Sequence, residues 1–178
     1  MKRIILSLVV SFAALFAFAQ SPQLYFMGIP LGQSYTIFKK QLLAKGFKSD
    51  GKGANAYIFK GTIEGKEEVD LIVFVTPQSK LVSSLVLNKR YEEYYSSSFI
   101  LSKYDETIEL LKKEYGMPSH GKRMDDKGDY LTIWSVGDNS ISLTLKHSKD
   151  YVISLAYIDM DMLKLSEKEK ELELLKIR

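Results

Sequence analysis

Between Leu31 and Ile158 the apolar residues keep two periods, and the chain passes from the first to the second twice. Leu31, Tyr35, Phe38 and Leu42 follow four-three-four spacing, which places them on one helical face. Three alternating runs come next, Tyr57–Ile63, Glu68–Thr76 and Lys80–Leu87, and each predicts a strand. The same grammar then returns. Leu101, Tyr104, Ile108, Leu111 and Tyr115 form a second helical stripe, followed by strand-like runs at Tyr130–Val136, Ser140–Lys146 and Tyr151–Ile158. Lys80–Asn88 aligns with Asp150–Ile158 at an offset of 70 residues, and the middle strands align at 72. Internal repetition of this kind constrains architecture before any residue is given a role.

The punctuation agrees with the periods. Ser34 is a good N-cap, and Lys45-Gly46 predicts a left-handed stop with Phe47 folding back. Ser102-x-x-Asp105 resembles a capping box, with Asp where Glu or Gln is usual. Lys112 and Lys113 suit the negative end of the second helix, which Gly116-Met117-Pro118 ends. The joints Glu64-Gly65-Lys66 and Gly137-Asp138-Asn139 carry hairpin chemistry, and such short links join only antiparallel neighbours. Ile141, Leu143 and Leu145 alternate with Ser142, Thr144 and Lys146, so the sheet has one dry and one wetter face. Val69–Val75 is apolar in both phases, which predicts a central strand. The expected fold is α+β: a tandem repeat of helix plus three-stranded antiparallel sheet, with the helices on one face of the sheet.

The start of the chain adds an address. Lys2 and Arg3, the apolar run Ile4–Phe16 and Ala17-Phe18-Ala19 read as a secretion signal, so the expected location is periplasmic or secreted. The apolar run is shorter than the roughly 20 residues a spanning helix needs, so no membrane span is expected after cleavage. The domain plan is then a signal peptide over 1–19, a first module over 20–95, a second over 96–165 and a charged C-terminal helix or tail over 166–178. An exported chain with no cysteine must be held by burial alone, and it has neither thiol catalysis nor thiolate metal sites. Residues 46% hydrophobic and 12% aromatic allow this, provided the modules pack as one unit. The formal net charge of +3 includes Lys2 and Arg3, and lysines and glutamates are interspersed. No basic stripe with interleaved aromatics points to nucleic acid.

Phe26-Met-Gly-Ile-Pro-Leu-Gly32, then Phe38-x-x-x-Leu42, Lys45-Gly46-Phe47, Tyr115-Gly116-Met-Pro118 and the charged tail after Ala156-Tyr-Ile-Asp159, resemble an uncharacterised family of exported bacterial proteins. The repeat is also similar to the tandem helix-plus-sheet modules of β-lactamase-inhibitor-protein-like folds. That resemblance implies a protein-binding sheet face, by analogy of fold alone.

Catalytic motifs do not emerge. His120 lies in a Pro-Ser-His-Gly turn and His147 ends a strand beside Lys146; both read as surface residues. Asp125, Asp126 and Asp129 around Gly128 lack the spacing of a calcium loop, and Asp159-Met-Asp161 reads as solvation of a strand end. A carboxylate hydrolase could be assembled from Glu64, Glu67, Glu68 and Asp70, and nothing in their spacing prefers that to a charged hairpin. The expectation is a non-enzymatic protein without metal or cofactor.

Three features could bind. If Leu131 and Ile133 point inward, Tyr130, Thr132 and Trp134 face outward beside Ser142, Thr144 and Lys146, where rigid aromatics would anchor another protein or a glycan. The alternative is the inverse phase, with Trp134 in the core. The linker Tyr91–Phe99 offers Tyr91, Tyr94 and Tyr95, either as a recognition loop or packed on the second helix. Finally Ser166-x-x-Glu169 reads as a capping box opening a marginal helix with Leu172, Leu174 and Leu175, either solvated or docked. The expected partner is another protein met through the sheet face, with a glycan or small ligand as the alternative.

Overall fold

A computed structural model describes residues 22–63, 65, 67–123, 129–147 and 150–176. The expected leader lies outside the described residues, as do Glu64, Lys66, Asp125, Asp126 and Gly128. The chain opens with a small hairpin, β1 (Tyr25–Phe26) and β2 (Ile29–Pro30), and then forms helix α1 (Tyr35–Ala44). Strands β3 (Lys48–Lys52), β4 (Ala56–Ile63), β5 (Glu67–Val75) and β6 (Val82–Tyr91) follow. Helix α2 (Ser97–Tyr115) precedes β7 (His120–Arg123), β8 (Tyr130–Val136), β9 (Asn139–His147) and β10 (Tyr151–Ile158), and α3 (Met160–Lys176) closes the described chain. Among the described residues the fold is α+β: three helices, a two-stranded sheet and one antiparallel eight-stranded sheet in the order β3-β4-β5-β6-β10-β9-β8-β7.

Each helix α1 and α2 is followed by four strands, where the apolar alternation predicts three. The additional ones are the two edges. β3 reads Lys-Ser-Asp-Gly-Lys, exposed along nearly its whole length, with its register broken between Ser49 and Gly51. An edge strand recruited by backbone pairing carries no apolar phase, and lysines with a bulge discourage further pairing. The centre also differs from expectation. It is the β6–β10 pair, running from Tyr91↔Tyr151 to Ser84↔Ile158, and β5 is the third strand in, with Phe74 38% exposed.

Register defines two faces. On the inner face Tyr57, Val73, Leu85, Tyr157, Ile141 and Trp134 lie side by side across six strands, beside the parallel row Phe59, Leu71, Leu87, Leu155, Leu143 and Thr132. Most of these join one buried cluster with Phe38 and Leu42 of α1 and Ile100, Tyr104 and Leu111 of α2. At the end of α1, Phe47 N–H reaches Leu42 O and Gly46 N–H reaches Leu43 O, with Gly46 at φ +91°. These are the bonds of the predicted glycine stop. They turn the Phe47 ring down onto Gly61 of β4, where an added Cβ would lie 2.5 Å from the ring. Ser34 holds the N-cap position of α1, but its side chain makes no capping bond.

The two remaining helix starts are corrected. α2 begins at Ser97, with Ser96 Oγ accepting from Phe99 N–H, so Ser102 and Asp105 are inside the helix. α3 begins directly after β10, where Asp159 Oδ1 accepts from Met162 N–H and Asn139 Oδ1 from Met160 N–H. Ser166 and Glu169 are therefore mid-helix and buried. Glu169 Oε2 accepts from Gln78 N–H at 2.6 Å, and its Oε1 from the Ser79 hydroxyl at 2.5 Å, fixing α3 to the β5–β6 turn.

Candidate functional site

The set expected on the wetter face divides between the two faces. Trp134 pairs with Ile141, Thr132 with Leu143 and Tyr130 with Leu145, which puts all three on the inner face. Trp134 is 1% exposed, and its indole N–H donates to Gly116 O at 3.0 Å, satisfying a carbonyl at the end of α2. Thr132 is buried and hydrogen-bonded to Tyr104 Oη at 2.9 Å, and the Tyr104 ring lies 5.8 Å from that of Tyr130. Burial raises the Tyr104 phenol above its usual range, with the Thr132 bond opposing. Of the two phases open to β8, it is thus the one with Trp134 in the core that is realised. Large rings with a polar tip fill the space under a helix better than Leu131 and Ile133, and the helix supplies partners for the tips. Ser142, Thr144 and Lys146 do face outward, so only these three of the six share the open face.

That open face is organised around a row absent from the expected set. Ile58, Ile72, Val86, Ala156, Ser142 and Ile133 are consecutive partners across β4, β5, β6, β10, β9 and β8. None is buried, and Ile58 is 36% exposed. A second row on the same face is polar: Lys60, Asp70, Asn88, Ser154 and Thr144, with Ser154 Oγ donating to Asn88 Oδ1 at 2.7 Å. The signal was present in the sequence as the apolar second phase of β5, which reads as central burial when strand order is unknown.

Of the linker residues, Tyr94 and Tyr95 adjoin this face, and Tyr91 lies on the inner one. Tyr91 is buried at the end of β6; burial, then the charges of Glu67 and Glu106, push its phenol up to about 12. Tyr95 stacks on Phe99 with centroids 5.2 Å apart, and Tyr94, 73% exposed, leans on Tyr95 at 4.5 Å. Tyr94 and Tyr95 form one wall of a polar recess of about 670 Å³ whose other residues include Lys60, Asp70, Asn88 and Arg90. Lys60 pairs with Asp50 at 3.2 Å and Arg90 with Asp150 at 3.9 Å.

The candidate catalytic residues are scattered. Alternation sends Glu67 to the inner face and Glu68 and Asp70 to the open one, with Glu64 outside the described residues. His120 is exposed on β7, and His147 stacks on Tyr151 at 4.0 Å while its backbone N–H donates to Asp129 Oδ1. Among the described residues no group of three His, Asp or Glu side chains is placed to hold a metal ion, and no helix is long and apolar enough to cross a membrane. Comparison with known proteins finds no family model, no curated protein and no solved structure that matches the chain.

Proposed function

We propose that this is an exported, non-enzymatic protein that recognises another protein through the open face of its sheet. The observation that carries the reading is the half-exposed row Ile58, Ile72, Val86, Ala156 and Ile133, bordered by the polar row from Lys60 to Thr144. At about 4.8 Å between strands and 3.4 Å per residue, the face measures on the order of 30 × 25 Å. Standard interfaces cover roughly 800 Å² per partner, with an apolar centre and a polar rim.

Duplication of a helix-plus-sheet module is part of the reading. Val69, Leu71 and Val73 are buried on the inner face, and so are Ile141, Leu143 and Leu145, their counterparts at an offset of 72. Strand order β3 to β6, then β10 back to β7, supports two modules related by a rotation about the β6–β10 seam. The bonds from α2 to Thr132 and Trp134, and the seat of Phe47 on Gly61, support both module helices lying on the inner face. The likeness to β-lactamase-inhibitor-protein-like folds, which use a sheet for protein recognition, enters this reading only as analogy. Lys2 to Ala19 support export.

Photo-crosslinking tests the proposal. A crosslinker at Val86 should trap one defined protein from envelope or culture-fluid extract, and a crosslinker at Asp105 on α2 should not. Ile72→Lys should abolish that adduct while the melting temperature stays within a few degrees. An adduct equally strong from Asp105, or one indifferent to Ile72→Lys, refutes it. A second reading, glycan binding, is favoured by the recess where Tyr94 stands beside Asp70, Asn88 and Arg90. It predicts that Tyr94→Ala, not Ile72→Lys, removes binding.

A further inference from the structure

The inner face has an opening over its middle. A filled core buries central strands most deeply, yet Leu87 and Leu155, partners across β6 and β10, are only half-buried. Their outer neighbours Leu71 and Leu143 are wholly buried. The opening is a cleft of about 540 Å³ between α2 and the β1–β2 hairpin, on the opposite side of the sheet from the face proposed above. Leu87, Leu155 and Ile153 contribute to its apolar lining. Its lips, Leu110 and Met27, are 63% and 37% exposed. Along α2 it extends from Lys103 to Glu114, about 16 Å at 1.5 Å per residue.

The charges at the mouth are unequal at its two ends. Near Tyr91 they balance: Lys103 donates to Glu106 at 2.7 Å, and Lys89, 5.5 Å over the Tyr91 ring, lines the mouth together with Glu67. At the other end Glu114 has no ion-pair partner among the described residues. Beside it stand Tyr157, packed on Phe26 at 6.0 Å, and Tyr115. Burial raises both phenols; the Glu114 charge raises Tyr157 further, and Tyr115 is raised further by Tyr157 and then by its hydrogen bond to the Glu114 carboxylate and the charge there. A carboxylate beside aromatic rings favours an organic cation.

We propose that the cleft binds a single-chain amphiphile, its apolar tail over Leu87 and Leu155 and its positively charged head at Glu114. Calorimetric titration of the full chain with dodecyltrimethylammonium, dodecanoate and dodecyl maltoside, all below their micelle concentrations, tests this. The cationic chain should bind with one-to-one stoichiometry and at least tenfold more tightly than the other two. Shortening it by two methylenes should weaken binding about fifteenfold, from the transfer free energy per methylene. Glu114→Gln should bring the cationic and anionic chains within about threefold, while Glu109→Gln, whose partner is Lys112, should leave the preference intact. Leu155→Trp should fill the cleft and abolish binding. Leu110→Lys, at an exposed position that folding tolerates, should weaken binding tenfold or more. Equal or tighter binding of dodecanoate or the maltoside, binding indifferent to both cleft substitutions, or no binding of any chain overturns the proposal.

Discussion

Removing the Glu169 carboxylate should loosen α3 from the sheet. Its oxygens accept from Gln78 N–H at 2.6 Å, from the Ser79 hydroxyl at 2.5 Å and from Ser79 N–H at 3.3 Å, at a residue 7% exposed. Burial by itself would raise this carboxyl, but the bonds from Ser79 and Gln78, with the Lys80 charge, outweigh it and hold the group below its usual range. Hydrogen bonds to a charged acceptor contribute about 1.5–3 kcal/mol each, and partial rehydration of the freed turn returns some of that. Glu169→Ala should therefore cost about 2–3 kcal/mol. At about 2–4 °C per kcal/mol for a chain of this size, the melting temperature should fall by roughly 4–12 °C. Glu169→Gln should lose about half as much, because one amide oxygen still accepts while the NH₂ opposes the turn donors. The pH dependence has a definite sign. A depressed folded-state pKa contributes stability above the unfolded carboxylate value near 4.3, and that contribution is lost as pH falls through the folded value. Melts followed by far-UV circular dichroism from pH 7 to pH 3 should show the gap between wild type and Glu169→Gln closing toward the acid end. An Ala variant melting within about 1 °C of wild type at pH 7, or a gap constant down to pH 3, would refute the clamp.

Gly61→Ala should destabilise by about 1–3 kcal/mol in urea titrations, since its Cβ would sit 2.5 Å from the body of the Phe47 ring, held in place by Phe26. The emission of Trp134, the single tryptophan, should be blue-shifted and resistant to acrylamide quenching in the folded state, and Trp134→Phe should cost about 1–2 kcal/mol through loss of the bond to Gly116 O. Tyr35 is pushed up to about 12, first by burial and then by Tyr57 stacked at 3.7 Å, and Tyr91 also to about 12. Both favour the folded state while neutral, so stability should be intact below about pH 10 and fall as pH rises toward 12. Phenolate absorbance should show a late-titrating class that becomes smaller, without vanishing, in Tyr35→Phe, since Tyr91 remains in it.

What was legible in the sequence is what local periodicity and turn chemistry determine. Phe38, Leu42 and Gly46-Phe47 mark α1 and its stop, and β8 and β10 run between the residues their alternation predicts. What was not legible depends on partners distant in the chain. β3 exists only by pairing with β4 and has no apolar phase of its own. Ser166 and Glu169 have the spacing of a cap, but the residues that Glu169 bonds are 91 and 90 positions away, so the same two letters serve a tertiary contact. In β8 both phases are amphipathic, and only the Gly116 carbonyl above Trp134 and the Tyr104 hydroxyl above Thr132 choose between them. The open-face row needs strand order as well, because Ile58 and Ile133 belong to one surface only through the β6–β10 pairing.

The seam that creates both candidate surfaces is also where the halves hold each other. Pro22 O, before the first helix, accepts from Asn139 of β9, and Tyr25 O accepts from Tyr115 of α2. In return α3, which follows the last strand, reaches back to Gln78 and Ser79 between β5 and β6. Each half thus lends its terminal segment to the other, so separating them would expose Leu85 and Tyr157 along the seam and undo both clasps. A half of this size would be marginal alone even without that loss. For the proposed recognition the consequence is mechanical: with these strands paired in one sheet, the spacing from Ile58 to Ile133 would be set in advance, and little ordering entropy would be left to lose on binding. The cleft on the inner face lies over the same seam, where Leu87 and Leu155 are left half-buried. An occupant there would touch both halves at once and should raise the melting temperature of the whole chain in one transition.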